Sequence, residues 1–153
     1  MSEERSDHYI LFVVNGTTYA LPSQDVAHVE MVDQITAVPN AAPFVDGVVF
    51  SRGQVVPAVN MRARFGFERV VADFRSRLLV VQVHGRRIGL LVDSCREFLT
   101  IPGDRIHPPG DALGAAVNAN YLGGIATIGD RLIVLLNLDT LVNSTDPLPA
   151  VRA

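Results

Sequence analysis

Few residues of this chain have the types and spacing that catalysis or metal binding requires. The four histidines, His8, His28, His84 and His107, include no two at the spacing of metal ligands, and one cysteine, Cys95, excludes a zinc knuckle or a Cys-x-x-Cys site. Cys95 beside His84 or His107 would form a nucleophile and its base, but these histidines belong to a hairpin turn and a Pro/Gly-rich loop. We interpret Cys95 as a small residue of a strand.

Motifs for a nucleophilic serine, a phosphate loop or paired catalytic carboxylates are also lacking. No serine lies in a Gly-x-Ser-x-Gly elbow, and the glycines of "YLGGIATIGDR" are not followed by the Lys-Ser/Thr pair of a phosphate loop. Asp93 with Glu97, and Asp130 with Asp139, are interpreted as solvated acids in loops or at strand ends. We therefore expect no enzymatic activity, no cofactor and no metal site.

Composition bounds the class of protein. The chain has 153 residues, 48% of them hydrophobic, which predicts one compact domain or two small subdomains around a core. No apolar run reaches the roughly 18 residues that cross a bilayer, and the start "MSEERSDH" is unlike a secretion signal. The single cysteine agrees with a reducing compartment, so we expect a cytoplasmic protein without direct membrane insertion.

Nucleic-acid binding is a remote alternative. The formal net charge is −3 and the sequence has no tryptophan, whereas a small barrel that binds single strands needs a basic groove beside stacked aromatic side chains. We expect no nucleic-acid partner. If this alternative held, affinity would collapse as the salt concentration rises.

Four hairpin signals predict an internal duplication. Asn15-Gly16 and His84-Gly85 each separate two apolar runs, as expected for turns whose two central residues have positive φ. Each of these hairpins precedes a second one, turning at Arg52-Gly53 in the first half and at Gly129-Asp130 in the second. The order predicts a repeated unit of four to five strands.

The pattern of strands predicts an all-β fold of small barrels or a sandwich. Short helices are expected at residues 61–65 and 138–142, and a third is expected to be capped by Asn40 and to lead into Gly47. The runs "YILFVV", "LLVV" and "LIVLL" do not alternate apolar and polar residues. Both faces of these strands must therefore be covered, either by a second barrel or by a partner.

The sequence resembles the CheW-like adaptor domain of bacterial chemosensory systems. The most specific motifs are Pro-Asn-Ala-x-x-Phe-x-x-Gly-Val at 39–48, Arg-Gly-x-Val-Val-Pro at 52–57 and Ile-Gly-Leu-Leu-Val-Asp at 88–93. The resemblance implies two five-stranded SH3-like β-barrel subdomains packed on a shared hydrophobic core, with short helices.

The expected organisation is a single domain at residues 9–142, between flexible tails at 1–8 and 143–153. Its subdomains are expected at about 16–75 and 76–137, with the N-terminal strand and the C-terminal helix open to exchange between them. These bounds combine the duplication with the resemblance.

The resemblance also implies a role in signalling. It implies a non-enzymatic adaptor, recruited to membrane receptor arrays, that couples the cytoplasmic tip of chemoreceptors (methyl-accepting proteins) to the regulatory domain of a CheA-type histidine kinase. The alternative is a specialised adaptor of a gliding or pilus pathway that contacts only the kinase or only the receptor.

Site residues follow from the same resemblance. Arg52 matches the arginine of the family's Asn-Leu-Arg-Gly turn and is implied to be a partner handle. Phe50-Ser51 stands where the family has Asn-Leu, and Asn60 where it has Asp. His28 replaces a frequent acid, so its pairing with Arg52 is expected to be lost or pH-dependent. The other implied partner-binding residues are Val26, His28, Val29, Gly47, Cys95 and Phe98.

Overall fold

The computed structural model describes residues 6–108 and 122–143. Within them the chain forms strands β1 Ser6–Val14, β2 Thr17–Pro22, β3 Val26–Met31, β4 Val45–Ser51, β5 Gln54–Asn60, β6 Arg77–Val83, β7 Arg86–Val92, β8 Ser94–Pro102, β9 Ile106–His107, β10 Leu122–Ile128 and β11 Arg131–Leu136. The α-helices are α1 Met61–Arg64 and α2 Leu138–Asn143. Both helices coincide with predicted ones.

The strands form two sheets, which confirms the all-β prediction. One sheet has the order β3-β6-β7-β5-β4 and is called the first barrel; the other has the order β8-β1-β2-β11-β10-β9 and is called the second barrel. The second barrel has six strands instead of the expected five because the two residues of β9 pair with β10.

Sheet membership divides the chain differently from the expected subdomains at 16–75 and 76–137. The hairpin β1–β2 lies in the second barrel, and the hairpin β6–β7 lies in the first. The reason is two parallel pairings, β2 with β11 and β7 with β5, which join each repeat's first hairpin to the second hairpin of the other repeat. Two whole hairpins are therefore exchanged between the halves.

The predicted turns have the expected backbone conformation. In three hairpins both central residues have positive φ: 52° and 83° at Asn15-Gly16, 51° and 82° at Arg52-Gly53, and 52° and 76° at His84-Gly85. This is the signature of a type I′ turn, whose twist matches that of the flanking strands.

The duplication extends to details of the second hairpins. Gly47 and Gly124 each follow a register shift near the start of their strand and have φ of 150° and 154°. The helix after each hairpin is capped in the same way: the Asn60 side chain accepts from the N–H of Ala63 at 3.1 Å, and that of Asn137 lies 3.3 Å from the N–H of Thr140.

The helix predicted after Asn40 is wrong. Residues 39–44 form turns that lead directly into β4. Asn40 has φ of 62°, a left-handed conformation that asparagine tolerates but that is not the extended conformation of a helix N-cap. Asparagine at this position indicates a local turn, and it was wrongly interpreted as a helix N-cap.

Three hydrophobic clusters explain the strands that do not alternate. In β1, Ile10 and Phe12 point to a core shared by both barrels, whereas Tyr9 and Leu11 point into the second barrel. In β6 the shared core takes Leu79 and Val81, and the interior of the first barrel takes Leu78 and Val80. Both faces of β1 and β6 are thus buried within the chain, whereas Leu132 of β11 is 65% exposed.

Candidate partner-binding surface

Arg52 lies at the exposed tip of the β4–β5 hairpin. Its side chain makes no hydrogen bond or ion pair with any residue of 6–108 or 122–143. Phe50 and Val55 are directly opposite each other on the two strands and are 75% and 64% exposed. The tip therefore presents a cation next to two apolar side chains, a combination suited to a protein partner.

His28 contacts Ser51 and Glu30 instead of Arg52. Its Nε2 lies 3.1 Å from Ser51 Oγ and 2.6 Å from Glu30 Oε2, and Ser51 Oγ donates to the same carboxylate oxygen at 2.5 Å. Ser51 is 3% exposed, and the His28 and Glu30 side chains are 10% and 25% exposed. The pairing of His28 with Arg52, expected to be lost or pH-dependent, does not form, and His28 instead belongs to a largely buried polar cluster.

The cluster is not a nucleophilic site. A catalytic serine gives its proton to a histidine nitrogen whose other nitrogen is held by a carboxylate. Here Ser51 and His28 Nε2 approach one oxygen of Glu30, so both donate to the carboxylate. The Ser51 hydroxyl is also buried and therefore out of reach of a substrate, so the role of the cluster is structural.

The predicted groove residues differ in accessibility. Val26, Val29 and Cys95 are partly buried, and each packs against the shared core. Phe98, on β8 of the second barrel, is largely exposed. The structure thus brings three of the predicted residues to the junction of the barrels and leaves Phe98 on the surface.

Gly47 is buried where two segments come close together. A Cβ at this position would lie 2.1 Å from the carbonyl oxygen of Thr36, and its φ of 150° is one that side chains rarely adopt. Thr36 and Val48 exchange two backbone hydrogen bonds, of 2.8 and 2.9 Å, across this approach. The geometry requires glycine here, and direct partner contact by Gly47 stays a prediction.

The Cys95 thiol is a poor nucleophile. Burial raises its pKa from 9.0 to about 11, and the charge of Arg77 offsets only part of that rise. Since the thiolate is the reactive form, a half-buried thiol with this pKa is almost entirely protonated at neutral pH. This agrees with the interpretation of Cys95 as a packing residue.

Sequence reasoning missed part of the exposed apolar surface. Met31 is exposed and lines a groove of about 380 Å³ between β3 and β4, together with Asp33 and Phe50. Val71 and Phe74 are also exposed, in the segment between α1 and β6. No sequence pattern separates these residues from buried ones, because their exposure depends on how distant strands pair.

No three His, Cys, Asp or Glu side chains in 6–108 and 122–143 are grouped as metal ligands. No helix in these ranges has both the length and the apolar character needed to span a membrane.

Known proteins identify the family. A model of the CheW-like domain matches residues 8–146. The chain belongs to the CheW-like domain family. This confirms the resemblance seen in the sequence and the adaptor role in chemosensory signalling that it implied.

Two relatives and one solved structure share most of their length with this CheW-like protein. The chemotaxis protein CheW of Klebsiella aerogenes is 24% identical over 94% of this chain and 86% of its own, and that of Rhizobium meliloti 30% identical over 90% and 88%. The crystal structure of the scaffolding protein TtCheW from Thermoanaerobacter tengcongensis is 26% identical with a TM-score of 0.85, covering 94% of this chain and 97% of that one.

Proposed function

We propose that this CheW-like protein couples the cytoplasmic tip of chemoreceptors to the regulatory domain of a CheA-type histidine kinase. The observation that carries the proposal is the Arg52 turn, where an exposed guanidinium without an intramolecular partner in the described ranges stands beside Phe50 and Val55. An unpaired arginine beside exposed apolar side chains is typical of the anchor residues of protein interfaces.

The chemistry of this surface suits a helical receptor segment. A guanidinium forms forked hydrogen bonds with a carboxylate, and the adjacent apolar side chains can pack on the apolar face of a helix. The half-buried Val26, Val29 and Cys95 line the junction of the barrels and extend this apolar character. Phe98 adds an exposed aromatic side chain on the second barrel.

The protein acts by binding alone, in the cytoplasm, as part of receptor arrays at the membrane. Two observations support the absence of a chemical step. The hydroxyl of Ser51 is buried and donates to Glu30, and burial raises the pKa of Cys95 to about 11. Neither group is activated as a nucleophile.

Calorimetric titration tests the proposal. The kinase regulatory domain and a receptor-tip fragment are titrated separately into wild-type protein, Arg52→Glu and Arg86→Glu. Arg86 is the matched control, an exposed arginine next to the turn of the β6–β7 hairpin. We expect both partners to bind the wild type.

Charge reversal at Arg52 should weaken receptor binding by at least about tenfold, because it replaces attraction of a carboxylate by repulsion. Kinase-domain binding should change by less than about twofold, and Arg86→Glu should leave both affinities within that limit. Equal receptor affinity of Arg52→Glu and wild type would contradict the assignment of Arg52. Binding of neither partner by the folded wild type would contradict the coupling role.

A further inference from the structure

The cluster of His28, Glu30 and Ser51 lies at the seam where the first barrel closes. β3 and β4 are the two outer strands of its sheet, so no ladder of backbone hydrogen bonds joins them directly. Thr36, beyond the end of β3, pairs with Val48 of β4 through its backbone. The side-chain cluster is a second link across the seam, at the end of β4 that leads into the turn.

The turn needs such a restraint. Arg52 follows Ser51 directly and has φ of 51°, a left-handed conformation that is sterically unfavourable for a residue with a Cβ. Such conformations persist where the surrounding structure fixes them. The buried hydrogen bonds of Ser51 fix the strand up to the residue before the turn, and they are strengthened by the charge of the Glu30 carboxylate.

The other two type I′ turns are restrained differently. The Asn15 N–H donates to Asp93 at 2.8 Å and its side-chain oxygen accepts from Arg62 at 3.1 Å. The His84 ring contacts the carboxylate of Asp139. In both turns the residue with positive φ is itself held by its partners. At Arg52 the restraint is on the preceding residue, which leaves the guanidinium available.

The repeated hairpin provides an internal comparison. Residues 47–61 and 124–138 correspond one to one, with Gly129 in the place of Arg52 and Ile128 in the place of Ser51. Where the turn residue is a glycine, positive φ has no steric cost and the preceding residue is apolar. The polar cluster occurs in the hairpin whose turn holds an arginine in a strained conformation.

We propose that His28, Glu30 and Ser51 form a positioning cluster that fixes the Arg52 turn in its binding conformation. The inference rests on the proposed function. The group that Arg52 binds is a carboxylate, because the guanidinium is a fixed, exposed cation, and Phe50 and Val55 require an apolar side chain next to that carboxylate on the partner. The three residues of the cluster act through Arg52 and do not touch the partner.

The test uses the full chain with Ser51→Ala, which removes the hydroxyl at the centre of the cluster. Thr127→Ala is the control, since it removes a half-buried hydroxyl from the corresponding hairpin of the second barrel. Two quantities are measured: amide hydrogen exchange at Arg52 and Gly53, with the Asn15-Gly16 turn as internal reference, and the affinity for a receptor-tip fragment. Urea unfolding of each variant gives its global stability.

We expect Ser51→Ala to speed exchange at Arg52-Gly53 by at least about tenfold relative to the Asn15-Gly16 turn, because the local opening becomes easier. Receptor affinity should fall by at least about fivefold, with kinase-domain affinity unchanged. Thr127→Ala should change neither quantity. Glu30→Gln, which keeps the size and an acceptor oxygen, should show smaller effects in the same direction, and it replaces Ser51→Ala if that variant does not fold.

A purely structural role for the cluster gives a different result. Ser51→Ala would then lower the free energy of unfolding while exchange at Arg52-Gly53 relative to the reference turn, or receptor affinity, stayed at the wild-type value. Either outcome overturns the inference and leaves the proposed function intact. Failure of the wild type to bind the receptor tip would instead contradict the proposed function, and with it the role of the cluster in receptor binding.

Discussion

Arg62 and Asp93 join the two barrels through parallel hydrogen bonds. Arg62 Nε donates to Asp93 Oδ1 at 3.0 Å, and Arg62 Nη2 donates to Asp93 Oδ2 at 2.8 Å. Arg62 belongs to α1, which follows the first barrel's β5, whereas the Asp93 carboxylate also accepts from the N–H of Asn15 in a turn of the second barrel. One carboxylate thus ties three segments together.

Asp93→Ala should destabilise the protein by about 2–3 kcal/mol, because it leaves the guanidinium of Arg62 and the Asn15 N–H without their acceptor. The matched control is Glu97→Ala, which removes the equally forked but more exposed Glu97–Arg131 pair. The side chains of the Arg62–Asp93 pair are 20% and 26% exposed, against 44% and 49% for Arg131 and Glu97.

Because exposed pairs are screened by water, Glu97→Ala should cost less than about 1 kcal/mol. Urea unfolding followed by circular dichroism measures both values. Equal losses of stability in the two variants would show that the Arg62–Asp93 pair contributes no more than an exposed surface pair.

Gly47→Ala should lower the free energy of unfolding by more than about 3 kcal/mol, since the added Cβ would overlap the backbone of Thr36 and force the closing seam apart. Gly16→Ala is the control: φ there is also positive, but no atom lies within 4 Å of the added Cβ. Its cost should be about 1–2 kcal/mol, from the backbone alone. Thermal unfolding compares them, and a Gly47→Ala variant as stable as Gly16→Ala would refute the close approach.

Arg52→Asn should stabilise the protein and weaken receptor binding at the same time. Asparagine tolerates the left-handed conformation, so the free energy of unfolding should rise by about 0.5–1 kcal/mol. Arg52→Ala removes the same guanidinium without this conformational benefit and should leave stability within about 0.5 kcal/mol of wild type. Chemical unfolding measures the backbone strain at Arg52, and receptor titration measures the contribution of its guanidinium to binding. An unchanged stability of Arg52→Asn would argue against strain at the turn.

Local signals predicted local structure well. The dipeptides Asn15-Gly16, Arg52-Gly53 and His84-Gly85 were sufficient to place three turns, because positive φ is a property of the turn residues themselves. The helices at 61–64 and 138–143 were placed from their sequence context in the repeat. The helix predicted after Asn40 was wrong because this residue has positive φ in a turn. Asparagine favours both turns and helix N-caps, so the sequence does not distinguish them.

Non-local relationships were beyond the sequence. Nothing in the order of the residues says that β2 pairs in parallel with β11, or that Ser51 turns inward to meet Glu30 while Arg52 turns outward. Both depend on contacts between segments at least 20 residues apart in the chain. The sequence therefore predicted only that a pairing of His28 with Arg52 would be lost or pH-dependent, and it did not predict the cluster of His28, Glu30 and Ser51.

Alkaline pH should destabilise the protein through Cys95. The folded state raises the pKa of this thiol from 9.0 to about 11 by burial, so between these values the folded protein keeps a proton that the unfolded chain releases. Stability must therefore fall as the pH rises through this window, and the effect is absent below it. Cys95→Ser should show a shallower fall in urea midpoint from pH 8 to 10 than wild type.

Burial also raises the pKa of Tyr19, so some alkaline destabilisation should persist in the Cys95→Ser variant. Identical pH dependence of the two proteins would show that the thiol ionises as freely in the folded state as in the unfolded one. Slow reaction of wild-type Cys95 with a thiol reagent at pH 8 is the corresponding kinetic observation.

The coupling role itself is tested most directly by asking whether one molecule holds both partners. The protein is first saturated with the kinase regulatory domain, and the receptor-tip fragment is then titrated into the complex. We expect a ternary complex, with receptor affinity within about threefold of that of the free protein and reduced by at least about tenfold in Arg52→Glu. Displacement of the kinase domain by the receptor tip would contradict the coupling role. Equal receptor affinity of Arg52→Glu and wild type would contradict it as well.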